Sequence, residues 1–170
     1  MTGFGVVERV DGRVVHVAHG TLRHAADASL ARRLDRLYRA LCDVIEAHGP
    51  DVASVEQVFV ARSARSALVL GQARGVAWAA LGAAGLVVHE YAPARIKQSV
   101  SGNGRAAKAQ IQRVVRRQLG LGTTPGADAA DALAAAICHA QAGRLAALGV
   151  RAPRPRRRAS TTVVRVRRAP

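Results

Sequence analysis

A chain of 170 residues is long enough to bury the core of one domain. With 49% hydrophobic residues it is not a disordered chain, and its longest apolar run, Gly75–Val88, is too short to cross a bilayer as a helix. The formal charge of +15 is segregated: residues 95–117 hold seven Lys/Arg and no acid, residues 151–168 hold eight Arg and no acid, and elsewhere the charges balance. Segregation of this kind marks a polyanion-binding surface. A solubility tail and a solvated helix face are the plainer alternative.

Phe4–Val10 and Arg13–Gly20 are strand-like runs joined at Asp11-Gly12, a hairpin signal because both central residues must take positive φ. That makes Asp11 a turn residue rather than a ligand. Residues 23–28 are expected to be a polar loop. Ser29–His48 carries Leu30, Leu34, Leu37, Leu41 and Val44/Ile45 at helical spacing, with Asp35–Arg39 as a surface pair. Gly49-Pro50 stops this helix. Val52–Phe59 is short and β-branched and predicts an inner strand.

Ser66–Gly85 predicts a helix of small residues lying close to a sheet, and Leu86–Tyr91 a further strand. Pro93 opens a short helix to about Val100, since proline is tolerated at the first helical position. Ser101–Gly104 is expected to be a flexible loop. Lys108–Leu119 predicts a helix with Ile111, Val114, Val115 and Leu119 inward, and Asp128–Leu148 an Ala-rich helix. The domain is expected to span 1–149. Residues 150–170, rich in Arg and Pro, are expected to form a disordered basic tail in which Val163–Val166 pairs weakly at most. Cys42 and Cys138 lack ligand-like spacing, so buried free thiols in a reducing cytoplasm are expected. The N-terminus has no basic segment followed by an apolar one, so no signal peptide is expected.

Three acids stand out. Glu56 lies near the middle of the Val52–Phe59 strand, where a bare carboxylate is costly to bury. Asp128 and Asp131 share one face at the start of a helix. Each has a plain alternative: a salt bridge to an arginine for Glu56, and complementing the helix dipole for the aspartates. Together, beside a basic surface, three carboxylates suit divalent-metal hydrolysis of a phosphodiester.

The chain resembles the RuvC family of bacterial Holliday junction resolvases, of the ribonuclease H-like superfamily. The blocks are Thr2-Gly3-Phe4-Gly5, Val55-Glu56-Gln57-Val58-Phe59, Leu70-Gly71-Gln72-Ala73-Arg74-Gly75, Glu90-Tyr91-Ala92-Pro93, Gly102-Asn103-Gly104-Arg105-Ala106-Ala107-Lys108, Asp128-Ala129-Ala130-Asp131-Ala132-Leu133-Ala134 and Cys138-His139-Ala140. The resemblance implies an α/β ribonuclease H-like mixed sheet flanked by helices. It also implies a cytoplasmic endonuclease that resolves four-way DNA junctions in recombination and repair. Glu56, Asp128 and Asp131 would be the catalytic metal ligands for two Mg²⁺ per site, with Mn²⁺ as the alternative. Lys108 would be catalytic and contact DNA. Phe59, Arg62, Arg65, Lys97 and Arg105 would contact DNA.

The family works as a homodimer with the branch-migration proteins RuvA and RuvB. A non-catalytic junction-binding protein on the same scaffold is the rival expectation. One block is missing: the family's opening strand, with a first catalytic aspartate in an Asp-Pro-Gly motif, has no counterpart before Thr2. The expectation is that the reading frame continues upstream of Met1. Without that strand the hairpin is expected to keep an unpaired edge, and the chain to nick poorly.

Overall fold

The computed structural model describes residues 1–22, 29–57, 64–147 and 163–168, the last six as backbone only. The strands are β1 (Thr2–Val10), β2 (Arg13–Leu22), β3 (Val52–Glu56), β4 (Val87–Tyr91) and β5 (Val163–Arg168). The helices are α1 (Leu30–His48), α2 (Ala64–Ala83), α3 (Pro93–Ser101), α4 (Lys108–Gln118) and α5 (Ala127–Ala147). The strands form one mixed sheet in the order β2-β1-β5-β3-β4.

Local chemistry explains most of the boundaries. Asp11 (φ 49°) and Gly12 (φ 77°) close the β1–β2 hairpin, with Val10 paired to Arg13. The Ser29 hydroxyl accepts from the Arg32 amide at the start of α1, and Gly49 in the left-handed region returns its amide to the Ile45 carbonyl. The Arg39 guanidinium meets Asp35 at 3.0 Å on the exposed face of α1. Pro93 sits in the first turn of α3. Cys138 is buried, while Cys42 is only half-buried against the same layer as Leu41.

Helices cover the sheet on both faces. One layer packs Leu37 and Leu41 of α1 and Ala77, Ala80 and Leu81 of α2 against Ala53 and Val55. The other packs α3, α4 and α5 over Val7, with Val52 and Tyr91 at its margin. Ala53, Ser54 and Val55 are therefore buried in succession, as an inner strand requires. Ser54 is the polar member, and its hydroxyl donates to the Ala135 carbonyl at 3.2 Å.

The helix α5 is the axis of the molecule. From Ala132 to Cys138 every residue is buried, which its alanines permit by keeping the helix thin. β1 lies hard against it: a Cβ on Gly3 would fall 1.9 Å from the Asp128 carbonyl oxygen, and one on Gly5 would fall 2.8 Å from the Leu133 amide nitrogen. The alternating glycines of Thr2-Gly3-Phe4-Gly5 are thus a requirement of strand–helix contact.

Two expectations are corrected. Val163–Arg168 belongs to the segment expected to be a disordered tail, yet it forms β5 at the centre of the sheet, parallel to β1 and antiparallel to β3. The β1 edge expected to be unpaired is thereby hydrogen-bonded, with Phe4–Arg9 aligned on Val163–Arg168. Val163, Val164 and Val166 supply β-branched residues that favour a strand. The remaining residues of 150–170, and the polar loop at 23–28, lie outside the described residues.

The loop after α3 is also tied down rather than free. The Gln98 side chain donates to the Gly102 carbonyl (2.8 Å) and accepts from the Gly104 amide (2.9 Å). The Asn103 side chain accepts from the Arg105 amide (2.9 Å). These bonds satisfy a backbone that glycine leaves without side-chain support.

Candidate active site

A cleft of about 230 Å³ opens where the C-terminal end of β3 faces three helices; it is lined by Glu56, Pro93, Ile96, Lys97, Lys108, Ile111, Asp131 and Ala134. Each charged group reaches it for a local reason. Glu56 is the last residue of β3, just past the buried Val55. Lys97 follows the buried Ile96 on α3. Lys108 is the first residue of α4, set by the tied loop before it. Asp131 lies one turn into α5.

The electrostatics are those of two crowded acids between two cations. Burial pushes the Glu56 carboxyl up to about 7, the charge of Asp131 pushes the same way, and Lys108 and Lys97 oppose it. Lys108 Nζ lies 3.0 Å from Asp131 Oδ2. Both side chains are substantially exposed, so this pair adds little to stability. No arginine salt bridge to Glu56 is found among the described residues. The nearby Arg74 pairs instead with Glu90 at 3.1 Å and gives Glu56 only a 3.5 Å bond to its main-chain carbonyl.

Four of the expected site residues, Glu56, Asp131, Lys97 and Lys108, therefore meet in one cleft. Asp128 is not among its lining residues. It sits in the first turn of α5, half-buried, with its carbonyl against Gly3. Arg105 is exposed on the α3–α4 loop. Phe59 and Arg62 lie outside the described residues, as does the side chain of Arg65 in α2.

The apolar floor of Pro93, Ile96, Ile111 and Ala134 had no motif to announce it. Tyr91 and His139 beside the cleft did have a signal. Both fall in blocks that carry the family resemblance, Glu90-Tyr91-Ala92-Pro93 and Cys138-His139-Ala140; in the structure Tyr91 pairs with Glu56 across β3 and β4, and His139 stands two helical turns past Asp131.

Among the described residues no group of three or more His, Cys, Asp or Glu side chains is placed to hold a metal ion. The cleft offers a pair of carboxylates, Glu56 and Asp131. The pair fits one hard divalent cation: its donors are oxygens, and positive charge between them would offset both the burial and the Asp131 charge that raise the Glu56 pKa. No helix among the described residues is long and apolar enough to cross a membrane.

Known proteins resemble this chain in sequence and in fold. Residues 1–139 match the family described as crossover junction endodeoxyribonuclease RuvC. A protein of that name from Halorhodospira halophila is 53% identical over 141 residues, covering 82% of this chain and 83% of its own length. One from Janthinobacterium sp. (strain Marseille) is 47% identical over 153 residues, covering 89% and 84%. Among solved structures, Thermus thermophilus RuvC superimposes with a TM-score of 0.72 at 25% identity, over 85% of this chain and 97% of that one. The same protein in complex with a Holliday junction substrate gives a TM-score of 0.71 at 22% identity, a likeness of fold.

Proposed function

Since the chain belongs to the RuvC family of crossover junction endodeoxyribonucleases, with a ribonuclease H-like fold, we propose that it resolves four-way DNA junctions by metal-dependent phosphodiester hydrolysis. The observation that carries the proposal is the Glu56–Asp131 pair in one cleft, where burial first and the Asp131 charge second raise the Glu56 pKa to about 7, with Lys97 and Lys108 on its walls. Glu56 and Asp131 would hold Mg²⁺, or Mn²⁺ in its place, with Asp128 contributing from the preceding turn and a second ion completing the site. A bound ion would supply an activated water and charge for the leaving oxygen.

The chain's own groups do the rest. Lys108, 3.0 Å from Asp131, keeps a positive charge at the point where a phosphate would meet the acids. Lys97 adds a second cation on the same wall. Arg105 would extend the phosphate track from the exposed loop, and Phe59, Arg62 and Arg65 would add further DNA contacts. Ile96 and Ile111 give the cleft an apolar floor. A homodimer would present two such clefts to the two strands of a junction, working with RuvA and RuvB in the cytoplasm.

Cutting of a synthetic four-way junction against a linear duplex, with Mg²⁺ or with EDTA, tests the proposal. Weak nicking of the junction in Mg²⁺ alone is expected, abolished by Glu56→Gln and by Asp131→Asn, with junction binding in EDTA retained. Asp128→Asn with full activity would remove that residue from the site. Junction binding without nicking under any divalent cation would overturn the proposal in favour of a non-catalytic junction binder.

A further inference from the structure

The acids of the cleft stand at one end of a ladder that runs down α5. Asp131, Ala135 and His139 are spaced four apart and so form one stripe along the helix. A residue of the sheet addresses each rung. Asp131 acts on Glu56 of β3. The Ala135 carbonyl accepts from the buried Ser54 hydroxyl of β3 at 3.2 Å. His139 Nδ1 shares a hydrogen bond of 2.8 Å with the Tyr91 hydroxyl of β4. Tyr91 and Glu56 are partners in the parallel β3–β4 pairing, which continues past Glu56 through the Gln57 amide to the Tyr91 carbonyl at 2.7 Å. The His139 ring is further held between His89, at 4.4 Å between centroids, and Tyr91, at 5.9 Å.

We propose that Tyr91 and His139 are positioning residues: their hydrogen bond clamps the Glu56 end of the sheet to α5 and keeps Glu56 and Asp131 together in the cleft, where they would hold a divalent cation. The physical need is plain. The charge of Asp131 raises the cost of ionising Glu56, and the same repulsion pushes strand end and helix apart across a cleft open to water. Ser54 pins β3 and Tyr91 pins its neighbour β4 to the same stripe of α5, so the strand end cannot slide along that helix without breaking a buried or half-buried polar bond. The clamp stays in one protonation state, since burial holds His139 down to about 4 and Tyr91 up to about 12. It touches neither substrate nor metal. It acts on the acids as groups behind a metal's own ligands do, by fixing their orientation.

This inference rests on the assignment of Glu56 and Asp131 as the metal-binding pair, so its test is read on metal affinity as well as on cutting. In the full chain, Tyr91→Phe deletes one oxygen and keeps the ring. His139→Leu removes the partner, and His139→Asn restores a polar atom near the Nδ1 position. Mn²⁺ bound by the free protein, followed by electron paramagnetic resonance, is expected to weaken about 10-fold in Tyr91→Phe and in His139→Leu, the low end for groups that orient metal ligands.

The double variant should be no worse than either single one, and His139→Asn should recover part of the loss. Nicking at saturating junction should fall while junction affinity in EDTA stays unchanged. Wild-type Mn²⁺ affinity in both single variants would overturn the clamp, as would losses that simply add. Glu56→Gln is the control. A wild-type chain whose Mn²⁺ affinity is indifferent to Glu56→Gln overturns the metal pair and the clamp together. One that binds Mn²⁺ through Glu56 and loses affinity in Tyr91→Phe, yet cuts no junction, supports the clamp and overturns only the nuclease assignment.

Discussion

Burial raises the pKa of Glu56 to about 7, Asp131 adds to the effect, and Lys108 and Lys97 oppose it. A carboxyl whose folded pKa lies above its unfolded value near 4.5 binds its proton more tightly in the native state. Its contribution to stability is then fully present below about pH 4.5 and is lost as pH rises through 7. With divalent ions chelated by EDTA, Glu56→Gln should match the wild type at pH 5 and exceed it at pH 8, by on the order of 2–3 kcal/mol. Thermal melting of both proteins across that range measures the difference. A gap that does not change with pH would mean that Glu56 is solvated and uncrowded. The same crowding is what a cation between Glu56 and Asp131 would relieve, so stability without metal and affinity for it are two faces of one arrangement.

Contact between β1 and α5 shows how an element constrains the site. Gly3 abuts the main chain of Asp128 rather than the tip of a flexible side chain, so an added methyl cannot be accommodated by a rotamer change. Gly3→Ala should force the strand off the start of α5, lowering stability by about 1–3 kcal/mol, the usual cost of overpacking. It should also weaken Mn²⁺ binding, because Asp131 rides on that helix. Gly75 in α2 is the internal control: nothing lies within 4 Å of the position of its missing Cβ. Gly75→Ala should stabilise by about 0.5–1 kcal/mol through helix propensity alone. Urea unfolding of the two variants measures both effects, and equal outcomes would show that β1 is not seated on α5 as described.

For the molecule as a whole, β5 decides whether there is one sheet or two. It alone joins the β1–β2 hairpin to the β3–β4 pair among the described strands. Removing it leaves two facing rows of unpaired backbone groups, which favours aggregation. Deleting 151–170 should therefore lower the melting temperature and promote association, which loss of a solvated tail would not do. The deletion also removes eight arginines, so junction binding should become less salt-dependent, by about 0.9 in the slope of log K against log salt for each phosphate that the shortened chain no longer neutralises. An unchanged melting temperature with a flattened slope would mean that the segment serves charge alone.

What residue order determined by itself was whatever depends on neighbours in the chain. The Asp11-Gly12 hairpin, the capped start of α1 at Ser29, the proline-led α3 and the stripe of α1 all follow from dihedral preference and periodicity. Charge segregation was equally legible, since it needs only counting. The acids were visible as residue types and their grouping was an expectation from chemistry and family resemblance, because no local rule brings Glu56 to Asp131.

Only the tertiary structure decided which members of that group meet. It placed Asp131 and Lys108 in the cleft with Glu56, left Asp128 a turn away, and set Tyr91 and His139 behind them. It also decided the fate of Val163–Arg168. A short β-branched run specifies that it will pair but not with what, because backbone hydrogen bonds are the same for every partner. The choice was made by which strand edges the packed helices left open, here those of β1 and β3.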